Sequence, residues 1–306
     1  MEKKNNPPAK ISSISQFHSL LNLPKPLNPM ISLVDNTQLV INGDLDNSSF
    51  LLEFYKISYK FSTNGKMGYG QGYYDFNEGG LMFASPNQLI FTDNEEGAKY
   101  GGFTLLFHPD FIRNYPLGKS IKKYGFFSYD TNEALHLSDS EKAIIIGLLK
   151  SIDNELHTAI DEMSQDVIVS YIDVLLNYSN RFYKRQFITR KTISHDLLLK
   201  VEETLDSYFN NAESLKRGLP TVDFLASKIN VSTHYLSDML RNLTGQNAQQ
   251  HIHSKLIEKS KDFLITTNLS VAEIAYQLGF EYPQSFSKLF KKKTNLTPLE
   301  FKNSLN

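Results

Sequence analysis

The chain has 306 residues, 41% of them hydrophobic and 21% charged, so it is long enough for two folded domains and too apolar to be disordered. It contains no cysteine, which excludes disulfides, thiolate metal sites and cysteine nucleophiles. No apolar run approaches the roughly 18 residues that a membrane helix needs. The first residues, MEKKNNPPAK, have no apolar segment behind them, so we expect a cytoplasmic protein without a membrane partner.

The net charge of −1 is unevenly distributed along the chain. Residues 214–306 contain 12 Lys/Arg and 7 Asp/Glu, whereas residues 1–213 contain 20 and 26. A basic end on an otherwise acidic chain is typical of a polyanion-binding module joined to a second domain. The alternative, which has equal weight, is that this charge asymmetry is incidental to function.

Residues 1–29 are polar and contain five prolines, so we expect a loose N-terminal arm with at most one short helix. From residue 30 to about 107, short aromatic and β-branched segments alternate with Gly and Asn turns. This pattern predicts an antiparallel β-barrel or sandwich. The predicted strands are 38–41, 50–61, 81–83, 88–91 and 103–107, and the predicted turns include Asn42-Gly43 and Asn64-Gly65.

Two amphipathic helices are predicted after the strands, at about 138–160 and 164–187. The first begins with Ser138 and Glu141 at the spacing of a capping box. Apolar residues recur in both segments at helical spacing. One interpretation is that the two apolar stripes pack on the sheet or on each other. The equal alternative is a subunit interface in a homodimer.

We interpret residues 189–194 as a short linker, beyond which the chain is helical. Helix-start signals support this, because Ser270 and Glu273 form a capping-box pair and Pro298 follows Thr297 at a first helical position. The predicted helices are about 195–210, 221–229, 233–243, 247–267, 271–278, 283–293 and 298–304.

One helical pattern occurs twice in this last part of the chain. Leu225-Ala226 precedes Asn230 in the first copy, and Ile274-Ala275 precedes Gly279 forty-nine residues later. Asn and Gly most readily adopt the left-handed backbone of a tight turn, and a small Ala lets a second helix pack closely. Each copy therefore predicts a helix-turn-helix, at 221–243 and 271–293.

The helix predicted at 247–267 joins the two motifs. Its 21 residues correspond to roughly 30 Å at 1.5 Å per residue. One turn of B-DNA measures about 34 Å, so a connector of this length suits two helices that enter successive major grooves on one face of a duplex.

Residues 270–301, SVAEIAYQLGFEYPQSFSKLFKKKTNLTPLEF, resemble the C-terminal signature of the AraC/XylS family of bacterial transcription regulators nearly end to end. The resemblance covers 195–306, with a sparser match at 222–245. The strand-rich part, with Gly79-Gly80-Leu81 and Pro86, is more loosely similar to the family's cupin-like domain. The resemblance implies an α+β multidomain fold: a cupin-like antiparallel β-barrel with two following helices at 30–188, and an all-α DNA-binding domain at 195–306.

The function that this resemblance implies is recognition of double-stranded promoter DNA by both motifs, with small-molecule sensing or dimerisation by the barrel. It also implies contact with RNA polymerase, and it implies no catalytic residue and no cofactor. Two residues depart from the family pattern. Asp238 stands where relatives often have Arg, so it can only accept a hydrogen bond, for example from a cytosine amino group. Lys255 stands where the family commonly has Arg, so the paired hydrogen-bond donors of a guanidinium group are missing there.

The candidate DNA-binding residues lie on the second helix of each motif and at its start. Amide and ammonium side chains there suit adenine edges, guanine edges and phosphates. The alternative for each residue is an ordinary solvated helix face. The candidates are Thr233, His234, Ser237, Asp238 and Arg241 in the first motif, and Tyr282, Gln284, Ser285, Lys288, Lys291 and Lys292 in the second.

Metal chemistry has little support in the sequence. His251 and His253 are two residues apart on a helix, so they point to different faces and cannot hold one metal. The strand-rich part lacks the close histidine pairs typical of cupin metal sites. A metal-dependent cupin enzyme with a helical appendage is the alternative class, and an adaptor that binds only protein is a third. Salt-sensitive DNA affinity separates both from a DNA-binding regulator.

Overall fold

The computed structural model describes residues 9–39, 49–62, 67–69, 72–74, 79–91, 100–130, 133–159, 161–189, 191–211 and 213–304. The chain divides into two compact units, Met1–Gln186 and Phe187–Asn306. Unit 1 is rich in strands and unit 2 is helical, which confirms the predicted mixed α+β organisation. Among the described residues, none of the helices combines the length and the apolar composition that crossing a bilayer demands.

The described residues of unit 1 form ten short strands, whose alternating residues give each sheet two distinct faces. They are β1 (Ala9–Ile11), β2 (Ile31–Asp35), β3 (Ser49–Leu52), β4 (Tyr55–Ser62), β5 (Met67–Tyr69), β6 (Gly72–Tyr74), β7 (Gly80–Ala84), β8 (Leu89–Phe91), β9 (Tyr100–Phe107) and β10 (Leu135–His136).

The strands form two sheets and a hairpin. The larger sheet is antiparallel, with the strand order β10-β7-β4-β9-β2. The second sheet has the order β1-β3-β8, and its β1–β3 pair is parallel. Strands β5 and β6 pair only with each other among the described strands. The expectation of a fully antiparallel, closed barrel is therefore wrong for the described residues, because the pairings leave the two sheets separate.

The two faces of the larger sheet pack against different partners. On one face, Phe83 contacts the tilted ring of Phe126 at a centroid distance of 4.4 Å, and Phe126 stacks with Tyr183 at 5.4 Å. The opposite face contributes Phe54 and Leu106 to a buried cluster that includes Ile11, Leu52 and other residues of β1 and β3. Both faces of the larger sheet are therefore buried, and the cluster on one of them lies between the two sheets.

Two expectations for the first forty residues are wrong. The proline-rich segment is not loose over its described residues, since Ile11 and Ile14 are 3% and 1% exposed. The predicted strand at 38–41 is absent from its described part, and the strand is β2 instead. Asp35 accepts a hydrogen bond from the Thr37 amide and starts a 3₁₀ turn at Asn36–Gln38, which ends β2. The predicted turns Asn42-Gly43 and Asn64-Gly65 lie outside the described residues.

Unit 1 also contains the helices α1 (Ile14–Leu20), α2 (Pro109–Ile112), α3 (Pro116–Ser120) and α4 (Asp139–His157), and most of α5 (Ser164–Thr189). The predicted capping box at Ser138 and Glu141 is confirmed. Glu141 also binds Arg185 of α5 through two oxygens, at 3.0 and 2.7 Å. A bidentate ion pair therefore joins the two long helices. Both helices agree with the predicted spans to within three residues.

The described residues of unit 2 form two long helices and six shorter ones. The helices are α6 (Lys191–Asn210), α7 (Glu213–Arg217), α8 (Val222–Ile229), α9 (Thr233–Thr244), α10 (Ala248–Thr266), α11 (Val271–Gln277), α12 (Pro283–Thr294) and α13 (Pro298–Asn303). The predicted spans from 221 onward agree with these to within one residue at each end. Helix α6 begins four residues earlier than predicted, within the segment interpreted as a linker, and the short α7 was not predicted.

Candidate nucleic-acid interface

The first motif consists of α8, a left-handed turn and α9. Thr221 and Ser232 cap the two helices by accepting hydrogen bonds from the amides of Phe224 and Tyr235. Asn230 adopts φ +58° and ψ +49°, as its place in the turn requires. The helices approach closely because Ala226, which is 2% exposed, has almost no side chain.

The second motif repeats this arrangement with α11 and α12. Ser270 and Glu273 form the predicted capping box, and Gly279 supplies the left-handed turn at φ +90°. The Phe280 amide donates to the Ala275 carbonyl at 2.9 Å, and the Val231 amide donates to the Ala226 carbonyl at 3.0 Å. These bonds lie at equivalent positions forty-nine residues apart, so the sequence repeat is also a repeat of the backbone structure.

Gly279 has a second role, which is contact with the segment before α8. A Cβ atom at Gly279 would lie 2.5 Å from the carbonyl carbon and oxygen of Gly218. Nearby, the Ser214 hydroxyl donates to the Gln277 carbonyl at 2.7 Å, and the Tyr208 hydroxyl donates to the Gly218 carbonyl at 2.9 Å. The turn of the second motif is therefore packed backbone to backbone against the α7–α8 connection.

Helix α10 joins the two motifs. Asn247 and Gln250 form a capping box at its start, and Ile252, Leu256 and Leu264 are at most 2% exposed along its buried side. Its 19 residues give a length of about 28 Å. Because buried contacts run along the whole helix, α10 is a packed element of unit 2 rather than a tether between the motifs.

Lys255, the departure from the family pattern on α10, is engaged within the protein. Its Nζ atom lies 2.9 Å from Asp206 of α6 and 2.9 Å from Glu258, and its side chain is 17% exposed. Burial acts to lower the pKa of Lys255, but the hydrogen bonds that Lys255 donates to Asp206 and Glu258 outweigh it and raise that pKa. This lysine therefore holds α10 to α6.

The candidate residues of α9 form a nearly neutral surface. His234 and Arg241 are exposed, and Thr233, Ser237 and Asp238 are partly exposed. Arg241 Nη1 lies 2.9 Å from Asp238 Oδ1, one helical turn away. The acidic residue thus neutralises the only arginine on this face of α9, and the helix presents little net charge to a polyanion.

The candidate residues of α12 form a basic surface. Tyr282 is 61% exposed, and Gln284, Ser285, Lys288, Lys291 and Lys292 are all exposed. Within the part of the chain that the structure describes, Lys288, Lys291 and Lys292 form no ion pair, since no carboxylate oxygen lies within 4 Å of them. The positive charge available to a phosphate backbone is therefore concentrated on the second motif.

His253 of α10 lies beside Lys292 and Lys293 at the edge of this basic surface and was not among the predicted candidates. Burial, and then the positive charges of Lys293 and Lys292, lower the pKa of His253. The His253 ring also lies 3.0 Å from the Gln249 side chain, one turn earlier on α10. Sequence spacing gave no signal for this, because α10 and the end of α12 are forty residues apart in the chain and meet only in the fold.

The family model and two of the three relatives described below match the C-terminal part of the chain, and the third relative extends over most of it. A family model described as "Helix-turn-helix domain" matches residues 225–304. An HTH-type transcriptional regulator in the cgkA 5′ region of Pseudoalteromonas carrageenovora is 32% identical over 101 residues, which are 33% of this chain and 55% of the relative. The regulatory protein SoxS of Escherichia coli K12 is 26% identical over 118 residues, which are 39% of this chain and all of SoxS. The HTH-type transcriptional regulator YfiF of Bacillus subtilis is 22% identical over 259 residues, which are 82% of this chain and 77% of YfiF.

Unit 2 is therefore a helix-turn-helix DNA-binding domain. The domain is of the AraC/XylS type, as the resemblance predicted, and the relatives that match it are transcription regulators. The chain spans about half the length of the P. carrageenovora relative. The family model covers residues 225–304 only, so unit 1 has to be interpreted from its own structure.

Proposed function

We propose that the chain is a sequence-specific transcription regulator that reads promoter DNA with α9 and α12 in successive major grooves. The observation that carries this proposal is the duplicated motif, in which an equivalent backbone hydrogen bond sets each second helix and α10 joins the two. In this proposal α12 supplies most of the phosphate affinity through Lys288, Lys291 and Lys292. Helix α9 contributes base discrimination through Ser237, Asp238 and Arg241, and the protein acts in the cytoplasm, where bacterial promoters are.

We further propose that unit 1 is a cupin-like domain that senses a small molecule and forms a homodimer. The two-sheet interior supports the sensing role, because it combines apolar and polar side chains. Exposed apolar side chains on the long helices support dimerisation: Ile144 on α4 is 37% exposed and Val174 on α5 is 40% exposed. From the family resemblance, we also propose that the protein contacts RNA polymerase and acts as a regulator rather than as an enzyme.

The test is to map bound sites genome-wide and then to footprint one of them with the purified full chain. Protection of two major-groove segments about one turn apart on the same face of the duplex is expected. Affinity should fall steeply as salt rises, because phosphate contacts release counterions. Absence of salt-sensitive binding to every enriched site would refute the proposed function.

A further inference from the structure

Three basic side chains from two helices of unit 2 form a cluster. His253 of α10 is close enough to Lys292 and Lys293, the last two lysines of α12, that both of their charges act on its imidazole ring. The two lysines are exposed, and His253 is partly exposed. Because these residues are about forty positions apart in the chain, only the fold adds a side chain of α10 to the lysine run of the second motif.

The His253 ring is neutral in this arrangement and has one nitrogen available. Gln249, one turn earlier on α10, places its Nε2 atom 3.0 Å from His253 Nε2. An amide nitrogen only donates, so the ring Nε2 accepts and the ring proton is on Nδ1. Among the described residues, Nδ1 has no hydrogen-bond partner. This N–H group is therefore available to an acceptor. Protonation of Nε2 requires the Gln249 amide to turn its oxygen toward the ring.

The positive charge of this cluster is not balanced within the part of the chain that the structure describes, where neither the two lysines nor His253 form an ion pair with a carboxylate. Over the same residues, Lys292 and Lys293 are the charged groups that act on the His253 ring. His251, two residues earlier on α10, points to a different face, where the charge of Glu202 of α6 acts on it. The environment of His253 is therefore purely basic.

We propose that His253, Lys292 and Lys293 together bind one phosphate group of the DNA backbone, and that this contact adds a proton to His253. The inference rests on the proposed function, in which α12 enters a major groove. A backbone phosphate suits the cluster because it carries one negative charge and accepts several hydrogen bonds. The proton comes from solvent and forms the second N–H bond of the imidazolium. Helix α10 is then a DNA contact as well as the connector between the motifs.

Proton uptake at His253 makes DNA affinity depend on pH. In the free chain, burial and the charges of Lys293 and Lys292 lower the pKa of His253, whereas a bound phosphate raises it. Affinity is therefore gained as the pH falls toward the pKa of the bound state, and the gain is absent well above it. At constant ionic strength, the full chain should bind its mapped site about fivefold more tightly at about pH 6 than at about pH 8. In His253→Gln, which cannot be protonated, most of this increase should disappear.

His234 provides the matched control, because it is an exposed candidate residue of α9 and titrates over the same pH range. His234→Gln should keep the increase in affinity at low pH. His157→Gln, which changes an exposed histidine of α4 in unit 1, should keep it as well. Two outcomes would overturn the proposal: the wild-type affinity does not depend on pH, or its pH dependence persists in His253→Gln and is lost in His234→Gln.

The phosphate is identified with the wild-type protein, so that misfolding of a variant cannot produce the result. Each backbone phosphate of the mapped site is replaced in turn by an uncharged methylphosphonate. At one position the replacement should weaken binding about fivefold and remove the pH dependence, and it should weaken binding less in His253→Gln and in Lys293→Gln. If no position removes the pH dependence, or if the variants lose as much affinity as the wild type, the cluster does not bind a phosphate.

The same titrations separate this inference from the proposed function. Salt-sensitive binding to the mapped site that does not depend on pH refutes the phosphate contact of His253 and leaves the regulator intact. Absence of salt-sensitive binding to every enriched site, at both pH values, refutes the regulator and the contact together.

Discussion

Gly279 combines a left-handed backbone with a backbone contact, and both requirements predict intolerance to any side chain. We expect Gly279→Ala to lower the free energy of unfolding of unit 2 by about 3 kcal/mol. Roughly 1 kcal/mol of this comes from the positive φ, and the rest comes from the displacement of Gly218. Denaturant unfolding of the full chain, followed by the loss of helical signal, measures the change.

Gly245 provides the matched control for this prediction. It has φ +78°, close to that of Gly279, but a Cβ atom there would meet no described atom within 4 Å. Gly245→Ala should therefore cost only the conformational part, about 1 kcal/mol. Equal losses in the two variants would show that the contact with Gly218 is unimportant.

Asp238 neutralises Arg241 on α9, so its removal should change DNA binding in two opposite ways. Asp238→Asn frees the guanidinium for phosphate, and affinity for random-sequence DNA should rise about threefold with a steeper salt dependence. Discrimination between the mapped site and random DNA should fall, because the acceptor-only carboxylate that suits a cytosine amino group is replaced by an amide that both accepts and donates. Competition binding measures both quantities. Unchanged discrimination would remove Asp238 from base recognition.

Residues whose behaviour is set by their own chemistry were predictable from the sequence. Asn230 and Gly279 were identified as turn residues because few other residues adopt positive φ, and both do so. The pairing of Asp238 with Arg241 was not predicted, although the two are three residues apart on a helix. The proximity of His253 to Lys292 and Lys293 was not predictable, since these residues are about forty positions apart in the chain and meet only in the fold.

At the level of elements, the two second helices differ in charge and should differ in their contribution to affinity. Lys288→Ala on α12 is expected to weaken DNA binding about fivefold and to reduce the salt slope by about one, because it removes one phosphate or guanine contact. Lys200→Ala on α6 removes the same charge outside both motifs and should leave both quantities unchanged. Titrations at several salt concentrations measure them. Equal effects of the two variants would show that only overall charge matters.

Helix boundaries in unit 2 were predictable because each start is encoded locally. The capping pair at Ser270 and the proline at a first helical position, Pro298, are present as expected, and the structure adds a capping pair of Thr297 with Glu300. Strand pairing in unit 1 was less predictable. The parallel β1–β3 pair joins segments about forty residues apart, and no local pattern encodes it. Helix α7 was missed because five residues are too few to show a helical period.

For the whole of unit 2, the structure indicates that the two motifs form one body. Helix α10 is buried along its length, and Lys255 and Lys259 tie it to Asp206 of α6. The α7–α8 connection packs against the turn of the second motif at Gly218 and Gly279. Two motifs held in this way present α9 and α12 at a fixed separation. The spacing of the two half-sites on DNA is therefore a test of this rigid arrangement.

Changing the spacing within a mapped binding site should therefore abolish simultaneous binding whatever the length of the insertion. Five inserted base pairs rotate one half-site by about half a turn, and about ten restore its rotation but move it roughly 34 Å along the axis. A rigid connector of about 28 Å cannot follow either change, so both insertions should reduce affinity to that of a single motif. The unmodified site and a site lacking one half give the two reference affinities. Recovery of affinity with ten inserted base pairs, but not with five, would mean that the motifs are flexibly tethered, and the rigid arrangement of unit 2 would then not describe the DNA-bound protein.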